Sequence, residues 1–515
     1  MSSGSEHPVV ETRSGAVRGT DDGRTAVWRG LRYAEPPVGP LRWRAPVPAA
    51  PWSGVADATA FGGTAPQIPN PAVPQGPARQ DEDCLFLNVW RPSLREALPG
   101  APRPVMVWIH GGAYTLGSAS QPIYDGSRLV EVGDVVLVTL NYRLGALGFL
   151  DLSNVVSGGR SGEFDTNPAL RDVLLALAWV RDNIAAFGGD PDRVTVFGQS
   201  AGGGIIAALL ASPAAAGLFH RAIVQSAPAT SMYGPERATA VARRFLEAAD
   251  ATGATPDDLR ALPVDTVLRA AASAYTDVPR EHPGTLAFAP SVDGDLLPEA
   301  PIAVLSAGRG HPVPLVIGSN RDEATLFRVM RSSLLPLTRR GLDAMFARML
   351  EENPGVEAPK CDQVLAAYAG LPRRAVGVGM ATDIAFRMPA VWIAEGHSAV
   401  APTHLYRFDH ATPLLRLAGV GAAHASDLYY VWGNLEATPR DPSFRLGGKA
   451  EARRVTRRVQ ERWTAFAHGR PPGTDWPAYR VPERETLVIG SEDRVVRDLD
   501  AARLAGWGAT ALTFR

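Results

Sequence analysis

Cysteine is nearly absent from this 515-residue chain: Cys84 and Cys361 are the only two, and 277 positions separate them. So few thiols exclude a disulfide-stapled scaffold and a cysteine-built metal site, and they fit free thiols in a reducing compartment. Lysine is equally scarce. Of 52 basic residues only Lys360 and Lys449 are lysines, a bias that GC-rich coding explains without reference to function. Excess charge of either sign is missing too, since 53 acidic residues leave a formal net charge of −1. That balance excludes a general nucleic-acid binder, which needs a basic surface to release counterions. It also speaks against strong electrostatic steering of a charged ligand. No stretch of 18 uninterrupted apolar residues occurs, and the first eleven residues lack the basic-then-apolar pattern of a secretory signal. His and Cys show no metal-ligand spacing, and no cofactor is implied. These absences predict a soluble, cytoplasmic protein, monomeric or weakly self-associating, whose partners include neither nucleic acid nor membrane.

The chain is 45% hydrophobic, enough to bury a large core. Length alone suggests about three domains. Short apolar runs at Val105 to Ile109, Val135 to Leu140, Val194 to Phe197 and Leu315 to Ile317 read as buried strands. Between the second and third of these, residues 168–184 carry Leu170, Val173, Leu174, Leu177 and Ala178 at helical spacing. Apolar residues from Ile205 to Ala211 form another helix, limited by Pro213, while residues 64–80 read as a surface loop. Strand, helix, strand, glycine-flanked turn, helix is the order of an α/β fold with a mostly parallel sheet.

The turn after the third strand reads Gly198-Gln199-Ser200-Ala201-Gly202. A β-branched strand before it and an apolar helix after it are what a strained nucleophile turn requires, because small neighbours let the chain fold tightly and expose the Ser hydroxyl. A serine is a poor nucleophile until a base, usually a His held by a carboxylate, takes its proton. Eight histidines follow Ser200; His424 sits in a small-residue loop, Gly421 to Ser426, that allows close approach. For the acid, Asp322 and Glu323 both follow the strand at 315–317, and pattern alone leaves the two open.

Together these segments resemble the type-B carboxylesterases. The run Phe187 to Gly202 is similar to that family's active-serine signature, and Glu82 to Val89 to its second signature. Arg32 to Pro37, Asn141 to Gly145 and Trp463 to Pro471 support them in the family's order. The resemblance implies one α/β-hydrolase domain over residues 1–515, its mostly parallel sheet covered on both faces by helices, with helical insertions at about 235–274 and 324–395. It implies Ser200 as nucleophile, Glu323 as acid and His424 as base. It places the oxyanion amides at Gly112, Ala113 and Ala201, with His110 shaping that loop. Near the loop and a strand end, Tyr114 and Phe149 are candidate pocket residues, with Gln199 beside the nucleophile. Gln199 stands where many relatives carry Glu, and no tryptophan occurs between Trp52 and Trp90, where cholinesterases keep a choline-stacking ring. Ala113 replaces the third glycine of the relatives' Gly-Gly-Gly loop, and Cys84 lacks its upstream disulfide partner. The expected activity is hydrolysis of neutral, short-to-medium acyl esters. Carbamate, amide or polyester-fragment hydrolysis and acyl transfer are alternatives on the same residues. A non-catalytic binding protein, as some relatives are, would have lost the nucleophile that is present here.

Overall fold

Alternation of apolar side chains decides how the centre of the molecule is built. In a computed structural model, Val105, Val107 and Ile109 pack into one hydrophobic cluster, and Met106 and Trp108 into another. A strand that sends alternate residues to opposite faces, both apolar, must lie in the middle of a sheet covered on both sides. The structure describes residues 7–512 apart from 71–73, 75, 94–100, 157–161, 283–284, 353–358, 360 and 439–440.

Among the described residues eleven strands form that sheet: β1 (Thr20–Asp21), β2 (Thr25–Arg32), β3 (Phe86–Pro92), β4 (Arg103–Ile109), β5 (Val136–Leu140), β6 (Gly189–Gln199), β7 (Arg221–Gln225), β8 (Leu315–Asn320), β9 (Thr403–Phe408), β10 (Thr486–Ile489) and β11 (Arg494–Val496). Their spatial order is β11-β10-β9-β8-β7-β6-β4-β5-β3-β2-β1. The seven strands from β10 across to β5 are parallel. Strands β1, β2 and β3 at one edge and β11 at the other are antiparallel. A separate three-stranded sheet joins Val9–Thr12, Gly15–Arg18 and Val55–Asp57.

Parallel neighbours need crossovers, and helices supply them. The helices that matter below are α1 (Ser127–Gly133), α2 (Pro168–Asn183), α3 (Ala201–Ala211), α4 (Pro235–Ala248), α5 (Val264–Glu281), α6 (Ala324–Val329), α7 (Met388–His397), α8 (Leu428–Trp432) and α9 (Lys449–Ala467). Leu170, Val173 and Leu177 of α2 and Ile205 and Leu209 of α3 join the cluster on the Val107 face. Val130 of α1, Trp432 of α8 and Val455 and Trp463 of α9 join the cluster on the Trp108 face. There the Trp108 ring lies 4.8 Å from Phe197 and 5.3 Å from Trp432.

The first expected insertion holds α4, a short helix Pro256–Arg260 and α5, and it runs on to Glu281. The second holds several helices but ends against the sheet: α7 packs on β8 and β9 as their crossover. This explains the one helical stretch among the described residues that is long and apolar enough to cross a membrane, Ala375–His397, of whose apolar window 83% is buried inside the molecule. Residues 64–80 form no regular element among those described, beyond an isolated bridge from Thr64 to Gln80. Cys84, buried, and Cys361 are both free.

Candidate active site

Open α/β sheets place their sites at the carboxyl ends of parallel strands, and four such ends converge here. Strand β6 ends at Gln199, Ser200 takes φ +57° and ψ −123°, and α3 starts at Ala201. A non-glycine residue in that region costs about 1–3 kcal/mol, so its surroundings must impose it. They do: the Ser200 amide donates to Gln225 O at 2.9 Å, tying the turn to the end of β7. Glycine on either side is a spatial requirement. A Cβ on Gly202 would sit 2.0 Å from Ile109 O, and one on Gly198 2.7 Å from the same oxygen. A Cβ on Gly111 would lie 2.6 Å from Gln199 O. Bare backbone on both sides therefore lets the loop after β4 lie against the serine turn.

That loop holds Gly112 at φ +118° and Ala113 at φ +51°. The N–H groups of Gly112, Ala113 and Ala201 have no hydrogen-bond acceptor among the described residues. Ala201 is the first residue of α3, where a helix leaves its amides unpaired and its dipole favours negative charge. His110 is buried, its ring stacked 4.5 Å from Tyr142, with Nδ1 2.8 Å from Gly111 O. Burial pushes its pKa down to about 4, so it is neutral and spent on loop geometry.

Glu323 follows β8 by three residues and is fully buried. Its Oε2 lies 2.6 Å from His424 Nδ1, and its Oε1 accepts from Ser226 Oγ at 2.5 Å and from Asn320 N at 2.6 Å. His424 Nε2 lies 2.8 Å from Ser200 Oγ. With Nδ1–H donated to the carboxylate, Nε2 keeps its lone pair for the serine proton. The alternative acid, Asp322, faces elsewhere: its Oδ2 accepts from Ala422 N at 2.9 Å and contacts Arg321. Its work is structural. Four bonds zip the histidine loop to the turn after β8: Asp322 N to Ala422 O, Ala422 N to Asp322 Oδ2, Asn320 Nδ2 to Ala423 O, and His424 N to Glu323 O.

Behind His424 lies a polar layer that sequence reasoning did not foresee. Asp427 accepts from Gln225 Nε2 at 2.6 Å and from Asn320 Nδ2 at 3.2 Å, and Trp463 Nε1 donates to Gln225 Oε1 at 3.3 Å. Burial, and then the charge of Glu323, raise the Asp427 pKa to about 6. Ser226, like Ser200, has positive φ and directly follows a strand end. That strand, β7, is the signal that would have drawn attention to it.

A narrow cavity with about 50 Å³ of room for water opens over Ser200 between Ala113, Phe327 and Phe386. The rings of Phe327 and Phe386 lie 5.3 and 4.6 Å from the His424 ring. Phe386 comes from a π-helical stretch, Asp383–Arg387. The expected pocket residues are not here. Tyr114, at φ +61°, turns its ring into the core 5.0 Å from Phe149, and both are buried. Two successive left-handed residues, Ala113 and Tyr114, reverse the direction that sequence adjacency suggests. Gln199 is also absent from the cavity wall; its Nε2 lies 3.3 Å from His424 Nε2. A second cavity of about 260 Å³, lined in part by Thr115, Leu116 and Phe288, shares no residue with the first.

A family model described as the carboxylesterase family matches residues 6–507. The para-nitrobenzyl esterase of Bacillus subtilis (strain 168) is 39% identical over 507 residues, covering 96% of this chain and 98% of its own. Phenmedipham hydrolase of Pseudarthrobacter oxydans is 34% identical over 505 residues, covering 96% of this chain and 97% of its own. A solved PNB esterase structure superposes with a TM-score of 0.85 at 37% identity, covering 98% of this chain and all of that one.

Proposed function

The chain belongs to the carboxylesterase family and is a carboxylic ester hydrolase; on that premise we propose that it works through Ser200, His424 and Glu323, on neutral esters of short-to-medium acyl length. The observation that carries the assignment is the unbroken chain of contacts from Ser200 Oγ through both nitrogens of His424 to Glu323, at 2.8 and 2.6 Å.

Neutral His424 takes the Ser200 proton as Oγ attacks the ester carbonyl. Glu323 keeps the imidazole in the right tautomer and balances the imidazolium as it forms, its other oxygen held by Ser226 and Asn320. The amides of Gly112, Ala113 and Ala201 receive the oxyanion, each worth roughly 3–4 kcal/mol by analogy with measured donors. His424 then gives its proton to the departing alcohol. Water repeats the sequence on the acyl-enzyme and releases the acid.

The substrate class is supported by the mostly apolar cavity wall, flanked by two phenylalanines, and by the neutral Gln199 beside the nucleophile. Ser200→Ala lowers kcat by about 10⁶ with a nitrophenyl ester, the scale of a serine triad; near-wild-type turnover would overturn the assignment. In a nitrophenyl ester series, kcat/KM falls once the acyl chain exceeds about four carbons, because a narrow packed cavity resists extra methylenes. A rate that keeps rising to long chains would contradict the short-acyl reading. The same assay run on a carbamate and an anilide separates the alternative chemistries.

A further inference from the structure

Away from the serine, one cleft gathers more positive charge than the carboxylate beside it balances. Arg453, Thr456, Arg457 and Gln460 recur at helical spacing and so form one face of α9. Arg128 of α1 joins them around a cleft of about 470 Å³, bounded also by residues 433–437, the turn that leaves α8. None of the three guanidinium groups has an ion pair or hydrogen bond among the described residues. Among the described residues the cleft wall carries one carboxylate, Glu436, which pairs first with Lys449 Nζ at 2.5 Å and also feels the charges of Arg453 and Arg128. Two arginines one helical turn apart repel each other, and a third close by adds to that cost.

The floor of the cleft is buried and partly unsatisfied. Thr456 is 9% exposed, and its hydroxyl has no hydrogen-bond partner among the described residues. Beside it Gln460 is 4% exposed and held by Nε2 to Val431 O at 3.2 Å. A buried hydroxyl without a partner carries a desolvation penalty that a ligand oxygen would relieve. Guanidinium forks match the geometry of tetrahedral oxyanions, which accept several charge-assisted hydrogen bonds at once.

We propose that this cleft binds a phosphate-type oxyanion, gripped by Arg128, Arg453 and Arg457 over the Thr456 hydroxyl. The site is separate from ester hydrolysis: none of its residues touches Ser200, Glu323 or His424.

Isothermal titration of the full chain with inorganic phosphate and pyrophosphate, at low ionic strength to limit screening, shows one saturable site per chain. The double variant Arg453→Gln/Arg457→Gln weakens binding by about tenfold or more, as loss of charge-assisted bonds requires. Thr456→Val weakens it about threefold or more, since it removes the hydroxyl and keeps the shape. Arg454→Gln, exposed on the same helix but outside the cleft, leaves binding unchanged. Each variant keeps its kcat/KM on a nitrophenyl ester, which certifies the fold. Absence of saturable heat would overturn the proposal. So would equal weakening by Arg454→Gln, which marks a diffuse field, or no effect of Thr456→Val, which marks a charged patch without a built floor. Vesicles of phosphatidylcholine with and without phosphatidic acid identify the source: sedimentation that pyrophosphate reverses assigns a lipid headgroup, and none assigns the free anion.

Discussion

Asp322 and Glu323 carry the same charge on adjacent residues, yet only one touches the imidazole. Residue type and position after a strand narrowed the acid to this pair and went no further, because the choice depends on where a loop 100 residues away comes to rest. Asp322 is consumed by the Ala422 amide, and Glu323, one methylene longer, reaches His424. Direction was equally illegible at Tyr114, where positive φ sends the ring inward. His110 shows what burial does to a histidine. Its pKa lies near 4, below the ordinary value near 6.5, so the unfolded chain binds a proton that the folded chain refuses. The stabilisation is full above pH about 6.5 and is withdrawn as pH falls towards 4, about 3 kcal/mol for one such fully buried group. The ¹⁵N spectrum of His110, assigned by difference with a His110→Gln variant, therefore keeps its neutral pattern down to pH about 5. Protonation near pH 6.5 would show that the ring is solvated.

The serine turn was the most legible element, since a strand, a glycine-flanked serine and a helix are local features. Its glycines answer to a neighbouring strand, which gives them a measurable cost. In Gly202→Ala the new Cβ meets the Ile109 carbonyl at 2.0 Å, and neither backbone segment has slack. Overpacking of that kind destabilises by about 3 kcal/mol or more. Gly234→Ala, where nothing lies within 4 Å, stays within about 1 kcal/mol. Urea unfolding of the two variants decides the matter, and equal stability would mean that the loop after β4 does not press on the turn. The π-helical stretch that delivers Phe386 was not legible. One extra residue in a helical turn leaves no mark on a hydrophobic pattern, so a cavity wall built on it escapes periodicity arguments.

One eleven-stranded sheet takes strands from residue 20 to residue 496, with the first and last of them at its two opposite edges. A chain read as a single domain with insertions is expected to lose its secondary structure, its buried tryptophan fluorescence and its esterase activity in coincident denaturant transitions. Two well-separated transitions would mean that an inserted region folds alone. The same topology sets a timetable for the chemistry. In the proposed triad Ser200 and His424 lie 224 residues apart, Glu323 and His424 101, and they meet only through the ends of β6, β8 and β9 on one side of the sheet. Loops of that length close slowly and late. No newly made or fragmentary chain that stops short of residue 424 carries the full set. On the proposed triad, a chain that ends before residue 424, or in which these strands have not yet docked, hydrolyses no ester.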